Sequence, residues 1–420
     1  MEHFSTIVFY VFSFLSVYVQ VFFLVTFFEK RKSIITRKGS IELQEYPAVT
    51  VIVPCYNEES TIGKTVRSLL DLDYPKEKLN LILVDDGSRD ATWEAIKSFE
   101  SLENVRTFKK ENGGKYTALN LGIEHTETPY LGCLDADSFV HPQALKRIMS
   151  YFLNDDKTMA VAPSIMVHEP KNIIQGAQKA EYDMAIYTKK MLAFMGGIHV
   201  TPGPFSIFRK KVFNDLGNYR HAHNTEDQEI ALRMQSHGYK IEHCPDAYVY
   251  TVSPNTIIKL YRQRLRWIYG FIKNAFDYRF LLFKKKYGNI AFFTIPSGLI
   301  SVASVIFLLF FVGNKVVAFA SDKILQIQGA GFDSVHNFHV DWFFFNIQTV
   351  SFVSIILYGL VISSLFLGRR MSGSKKLFSL DILYFLFVYS VLAPFWMMKA
   401  IYNAIWSKES SWALERQVNS

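Results

Sequence analysis

The sequence predicts an α/β domain on a doubly wound, mainly parallel sheet, tied to a membrane by apolar helices at both ends of the chain. Three observations carry that expectation. Four stretches, Phe4 to Phe28, Ile290 to Gly313, Trp342 to Gly368 and Ile382 to Met398, contain no Lys, Arg, Asp or Glu. Between the first two, short apolar runs alternate with amphipathic stretches in units of about 25 residues, as in α/β domains. Acidic residues stand at the ends of two of those runs, where open α/β sheets bind ligands.

The first three apolar stretches exceed the ~20 residues a helix needs to cross the hydrocarbon core, and the fourth is near the lower limit. Phe4 to Phe28 reads as an anchor, not a cleaved signal. No basic segment precedes it, and it runs into Glu29-Lys30-Arg31-Lys32 without a small-residue cleavage site. Basic clusters follow the first span (Lys30, Arg31, Lys32, Arg37, Lys38), precede the second (Lys284, Lys285, Lys286) and follow the third (Arg369, Arg370, Lys375, Lys376). All three fall on one side if the N-terminus is outside, which makes the block from about 30 to 289 cytoplasmic in a multi-pass cell-membrane protein. The net charge of +8 then calls for no nucleic acid, because anionic headgroups attract the same clusters. Cys55, Cys133 and Cys244 are isolated, so neither a disulfide nor a zinc framework is expected.

Within the block, Val49 to Pro54, Leu79 to Val84, Val105 to Phe108, Tyr130 to Leu134 and Met159 to Ala162 read as strands. The stretches near Glu59 to Leu70, Ala91 to Phe99, Tyr116 to His125 and Pro142 to Phe152 read as the helices between them. The remainder is less regular: a long helix from Lys171 to Met195, a Gly and Pro-rich stretch, then a helix from Glu226.

Asp85 and Asp86 follow a strand and precede Gly87-Ser88, so two carboxylates face the sheet edge. They suit ribose hydroxyls or base N–H groups, or else cap the next helix. Asp135 and Asp137 follow a second such strand; in extended chain both would point to one side, as oxygen ligands for Mg²⁺ or Mn²⁺, and the alternative is a solvated turn. Lys115 follows two glycines and opens a helix, where an ammonium and free N–H groups can approach phosphate. Thr225-Glu226-Asp227-Gln228 fits a capping box with Thr225 as N-cap, and a carboxylate fixed at a helix start suits a general base. Gln263, Arg266 and Trp267 share one face of a helix from about Thr256 to Phe276, suited to a hydroxyl, a diphosphate and a sugar ring. Alternatively, Arg262, Arg264, Arg266 and Trp267 serve as headgroup anchors.

Taken in order, Asp85-Asp86, Asp135-Ala136-Asp137, Thr225-Glu226-Asp227 and Gln263-Arg264-Leu265-Arg266-Trp267 resemble the D, DxD, TED and QxxRW pattern of family 2 glycosyltransferases. That group includes cellulose, chitin, hyaluronan and poly-N-acetylglucosamine synthases. The resemblance covers roughly residues 45 to 280. It implies a GT-A fold (a Rossmann-like, mainly parallel sheet) over 45–255, an interfacial helix over 256–280, and spans at 4–28, 290–313, 342–368 and 380–398.

It further implies that Tyr56, Glu58, Asp85, Asp86, Lys115 and Asp135 hold a nucleotide-diphosphate sugar and that Asp137, with Asp135, holds Mg²⁺ or Mn²⁺. Asp227 would be the base, with Glu226 beside it. Gln263, Arg266, Trp267 and the loop Gly203-Pro204-Phe205-Ser206 would border the acceptor. The implied reaction is inverting transfer to a growing β-linked polysaccharide; the alternative is single transfer to a lipid carrier or glycolipid. The better-known synthases carry more than four spans, so export calls for a dimer or an accessory subunit, or does not occur. A catalytically silent membrane scaffold is a third reading, and it predicts no donor turnover.

Overall fold

The computed structural model describes residues 2–34, 39–330, 347–374 and 376–407. Arg37, Lys38, Lys375, the first five residues of the expected span at 342–368 and the tail beyond 407 lie outside the described residues. The chain opens with helix α1 (Glu2–Lys30). Then follow β1 (Val49–Cys55), α2 (Ile62–Leu70), β2 (Leu79–Asp85), α3 (Thr92–Lys97), β3 (Val105–Lys109), α4 (Lys115–Glu124), β4 (Tyr130–Cys133), β5 (Ser138–Val140), α5 (Ala144–Asn154), β6 (Thr158–Val167) and α6 (Ile173–Phe194). The rest comprises β7 (Ile207–Arg209), α7 (Lys211–Leu216), α8 (Glu226–Ser236), β8 (Lys240–Thr251), α9 (Ile257–Asp277), α10 (Ile295–Ala330), α11 (Ile347–Met371) and α12 (Asp381–Ile405).

One eight-stranded sheet runs in the order β3-β2-β1-β4-β7-β6-β8-β5. β3, β2, β1 and β4 are parallel, Val49 pairing with Leu79 on one side and Tyr130 on the other. Strands covered on both faces read as continuous apolar runs, and β1 and β2 are almost wholly buried. β7 is antiparallel to β4 and β6, whereas β6 and β8 are parallel.

β5, β7 and β8 carry no apolar-run signal in the sequence. β8 contains Glu242, His243, Pro245 and Asp246, yet His243 and Asp246 are buried. Tertiary partners make this possible: the Asp246 carboxylate lies 4.0 Å from the Arg147 guanidinium and accepts from Cys244 Sγ at 3.1 Å, and His243 Nε2 lies 3.4 Å from Ser164 Oγ. Buried polar groups are tolerated when they are hydrogen-bonded in this way.

Among the described residues, four helices are long and apolar enough to cross a membrane: Ile7–Ser33, Ile290–Gly329, Phe352–Met371 and Asp381–Ile405. The second begins with a π-helical turn, Ile290–Thr294, and extends well past residue 313. α6 joins the two parts of the molecule by packing on the sheet, α11 and α12. Gly368 of α11 lies so close to α6 that an added Cβ would fall 1.9 Å from the Asp183 carbonyl oxygen. At that crossing Arg369, fully buried, binds Asp183 at 3.1 Å and Asp381 at 2.6 Å, and Lys179 reaches both carboxylates. Each buried charge there has a partner, without which its desolvation would be prohibitive.

Candidate active site

A cavity of about 1010 Å³ runs from the carboxyl ends of β1, β2 and β4 to the first turns of α10 and to α12. It is lined at the sheet end by Tyr56, Glu58, Asp86, Lys115, Asp135 and Asp137, in the middle by Glu226, Asp227, Gln263, Arg266 and Trp267, and at the membrane end by Gly298, Ser301, Val302 and Met397.

The β1–α2 and β2–α3 loops are laced together: Asn57 N donates to Ser88 Oγ at 3.0 Å, Glu58 N donates to Thr92 Oγ1 at 2.7 Å, and Arg89 N donates to Asn57 Oδ1 at 2.9 Å. Glu58 Oε2 accepts from Thr61 Oγ1. Asp85 and Asp86 have separated roles. Asp85 is fully buried below the cavity and its Oδ1 accepts from Ser88 N, so it shapes the turn and does not line the cavity. Asp86 lines the cavity, but its carboxylate accepts from Lys110 Nζ at 2.6 Å and from the N–H groups of Gly113 and Gly114 at 3.0 and 2.9 Å. It therefore holds the glycine loop that precedes α4, with Gly114 in the positive-φ conformation that glycine adopts without strain.

That loop delivers Lys115 to Asp135 at 2.7 Å and Glu226 at 3.3 Å, and those two carboxylates outweigh desolvation to hold its ammonium firmly protonated. The stretch Asp135-Ala136-Asp137 is a turn between β4 and β5, not extended chain, and both aspartates nevertheless reach the cavity. Among the described residues no group of three or more His, Cys, Asp and Glu could hold a metal by itself. Two cavity-facing carboxylates fit Mg²⁺ or Mn²⁺ all the same, because such ions are commonly held by one or two carboxylates plus substrate phosphates.

Gly203 passes over the Lys115–Asp135 pair: an added Cβ would lie 2.7 Å from Lys115 Nζ and 3.1 Å from Asp135 Oδ1. Phe205 does not border the cavity. Its positive φ turns the ring into the core beneath β4, with Phe205 N donating to the Cys133 carbonyl at 2.6 Å. Gly203 and Pro204 remain as the lining residues of that loop.

Asp227 is the second residue of α8, and its carbonyl accepts from Thr201 N and Oγ1 at 3.1 and 3.0 Å. Burial, reinforced by the Glu226 charge, pushes the Asp227 carboxyl from 3.8 up to about 6 against the pull of Lys115 and Arg266. The capping box does not form, since Thr225 makes no side-chain cap. Its hydroxyl donates instead to the Ala222 carbonyl and accepts from Asn274 Nδ2 of α9 at 2.8 Å, because α9 lies directly against it. A Cβ on Gly270 would come within 2.3 Å of Thr225 Oγ1. Ala222, His223 and Asn224 all have positive φ, a strained approach to α8 of the kind found at functional sites.

α9 is capped by Thr256, whose hydroxyl accepts from Lys259 N. Arg266 Nη1 donates to the Asn224 carbonyl at 3.1 Å. Arg264 is no headgroup anchor: it is buried, paired with Glu181 at 2.6 Å, and stacked 4.2 Å from the Trp267 ring, so it holds Trp267 at the cavity wall.

The structure adds cavity residues that the linear motifs did not indicate: Glu181, Tyr182 and Lys189 of α6, and His199. Burial pulls the Lys189 ammonium down to about 8, against Asp227 and Glu181, and pulls His199 down to about 4, helped by Lys189. Their one sequence signal is the i, i+8 spacing of Glu181 and Lys189 on one helix face.

Residues 50–217 match the model of glycosyl transferase family 2. The chain is 32% identical over 273 residues to poly-beta-1,6-N-acetyl-D-glucosamine synthase of Staphylococcus aureus (strain COL), covering 64% of this chain and 66% of that one. The chain thus spans just under two thirds of that relative's length. It is 31% identical over 231 residues to the Staphylococcus epidermidis synthase, covering 54% of this chain and 56% of that relative. Among solved structures, a mannosyltransferase of Pyrobaculum calidifontis in complex with GDP-Man and Mn²⁺ superposes with a TM-score of 0.53 at 17% identity, over 84% of this chain and 99% of that one, a likeness of fold. Residues 50–217 are thus similar to glycosyl transferase family 2, on a fold of the GT-A kind.

Proposed function

We propose that this enzyme transfers a sugar, with inversion, from a UDP-sugar to a growing β-linked polysaccharide at the cytoplasmic membrane face. The observation that carries this reading is the continuity of the cavity: Lys115 and Asp135 at one end, Asp227 in the middle, and α10 and α12 at the other. The identity to poly-beta-1,6-N-acetyl-D-glucosamine synthases favours UDP-N-acetylglucosamine as the donor.

Tyr56, Glu58 and Asp86 would border the nucleotide, with Asp85 fixing the turn beneath it. Lys115 would meet the diphosphate, its charge preserved by Asp135 and Glu226. Asp135 and Asp137 would hold Mg²⁺ or Mn²⁺, which when bound supplies charge neutralisation to the leaving diphosphate. The acceptor hydroxyl oxygen attacks the anomeric carbon from the face opposite the diphosphate. As that bond forms, the hydroxyl proton passes to Asp227, and the bond from the anomeric carbon to the diphosphate breaks with its electron pair on the departing oxygen. Arg266 balances the developing phosphate charge, Gln263 offers hydrogen bonds to acceptor hydroxyls, and Trp267 presents its face to a sugar ring. Gly203 and Pro204 border the acceptor beside the donor.

Purified protein given labelled UDP-N-acetylglucosamine with Mg²⁺ or Mn²⁺ is expected to release UDP and build a ladder of chain lengths. A single discrete product on a lipid would refute polymerisation. Absence of UDP release with every sugar nucleotide tested would refute transfer.

A further inference from the structure

α6 carries two successive lysines with opposite circumstances. Lys190 is buried and satisfied: its ammonium donates to the His243 carbonyl, lies 3.5 Å from Glu242, and sits over the Tyr151 and Phe194 rings. Lys189 lines the cavity and makes no hydrogen bond or ion pair among the described residues. Asp227 and Glu181 act on it electrostatically from beyond ion-pair distance. Of the residues lining the same cavity, His199 and Gln263 are among those with a polar atom buried without a hydrogen-bond partner, Nδ1 and Oε1 respectively. Buried polar groups are almost always paired, so these two orphaned atoms, together with a half-buried lysine that has no ion pair, indicate a polar ligand.

The surroundings define that ligand. Lys189 is on the acceptor side of Asp227: it is close enough to act on His199, whose ring lies 6.2 Å from Phe271, and Phe271 abuts Gly298 of α10. The diphosphate already has Lys115 and Arg266. The charges of Asp227 and Glu181 offset that of Lys189, and the cavity wall also includes the apolar Ile186, Leu192, Ile198 and Val302. A neutral molecule rich in hydrogen-bond acceptors and with some apolar surface fits, which describes a sugar.

We infer that Lys189 is an acceptor-binding residue, its ammonium donating hydrogen bonds to hydroxyl or acyl oxygens of the acceptor sugar lodged between Asp227 and α10, with His199 and Gln263 completing the subsite. This rests on the glycosyl-transfer reading above. Lysine suits the task because its three donors swivel on a flexible stem.

The test uses the full chain in detergent or nanodiscs, UDP-N-acetylglucosamine as donor and β-1,6-linked N-acetylglucosamine oligosaccharides as acceptors. Lys189→Met keeps the stem and removes the charge; the expected result is a rise in acceptor KM of about tenfold or more, the scale of one charge-assisted hydrogen bond, with donor KM within about twofold. Calorimetric binding of UDP stays unchanged, and Lys189→Arg recovers part of the loss. Lys190→Met is the structural control: it lowers the unfolding temperature without splitting the two KM values. Should Lys189→Met fold poorly, Lys189→Gln is read in the same way. Unchanged acceptor KM, or an equal rise in both constants, overturns the assignment while leaving glycosyl transfer intact. Wild-type protein that transfers to no oligosaccharide and releases no UDP overturns the parent reading.

Discussion

Replacing Asp227 by asparagine is expected to raise stability while removing turnover, because the carboxylate is held in a place that disfavours its charge. Its carboxyl is displaced from 3.8 to about 6, with burial first and the neighbouring Glu226 second. A displacement of that size is worth about 3 kcal/mol. The sign follows from proton binding: below pH ~3.8 the carboxyl is protonated in both the folded and the unfolded chain, and nothing is lost. Between about pH 4 and 6 the unfolded chain releases the proton while the folded chain keeps it, so stability falls, and above about pH 6 the full penalty persists. Asparagine is neutral throughout. Asp227→Asn is therefore expected to unfold several degrees higher than wild type at pH 7.5, with the gain vanishing near pH 4.

Loss of a general base lowers turnover about 100-fold or more, with donor binding kept. Paired measurements decide the matter: thermal unfolding by tryptophan fluorescence at several pH values, and UDP release at saturating donor. A variant that is less stable at pH 7.5, or whose stability difference does not change with pH, would refute the electrostatic account of Asp227. Undiminished turnover would refute its role as base.

In wild type, turnover is expected to fall as pH drops through about 6, the limb on which Asp227 gains a proton, as a pH–rate profile at saturating donor will check. Chelation with EDTA is expected to abolish transfer and added Mg²⁺ or Mn²⁺ to restore it; persistent activity in EDTA would remove the metal role of Asp135 and Asp137. Gly270→Val drives a side chain into Thr225, overpacking that typically costs about 1–3 kcal/mol. Moving Arg266 by ~1 Å relative to Asp227 can lower turnover about 100-fold, and Thr225→Ala in the same chain is expected to restore part of it, read as UDP release. Arg369→Leu leaves the Asp183 and Asp381 carboxylates to share Lys179 and is expected to destabilise by about 3 kcal/mol, a loss visible as a lower unfolding temperature in detergent.

Elements whose burial is uniform were legible in the chain. β1, β2 and β4 read as apolar runs because both faces of the sheet are covered. The four long apolar helices read as uncharged stretches because a segment able to cross a bilayer must be apolar along its length. β8 was illegible for the converse reason: Glu242, His243 and Asp246 break the apolar pattern, and their side-chain partners, Lys190, Ser164 and Arg147, stand far away in sequence.

The candidate site divides along the same line. The chain by itself determined the order of the acidic motifs, the helix face that joins Gln263, Arg266 and Trp267, and the apolar lengths of the spans, all of which are properties of neighbouring residues. Only the tertiary structure decided that Asp85 supports a turn while Asp86 secures the glycine loop, that Thr225 gives up its cap for Asn274, and that Phe205 belongs to the core. It likewise separated Lys189 from Lys190. Adjacent lysines on one helix differ only in what other elements bring to them, and hydrogen-bond partners brought across the fold leave no periodicity in the chain.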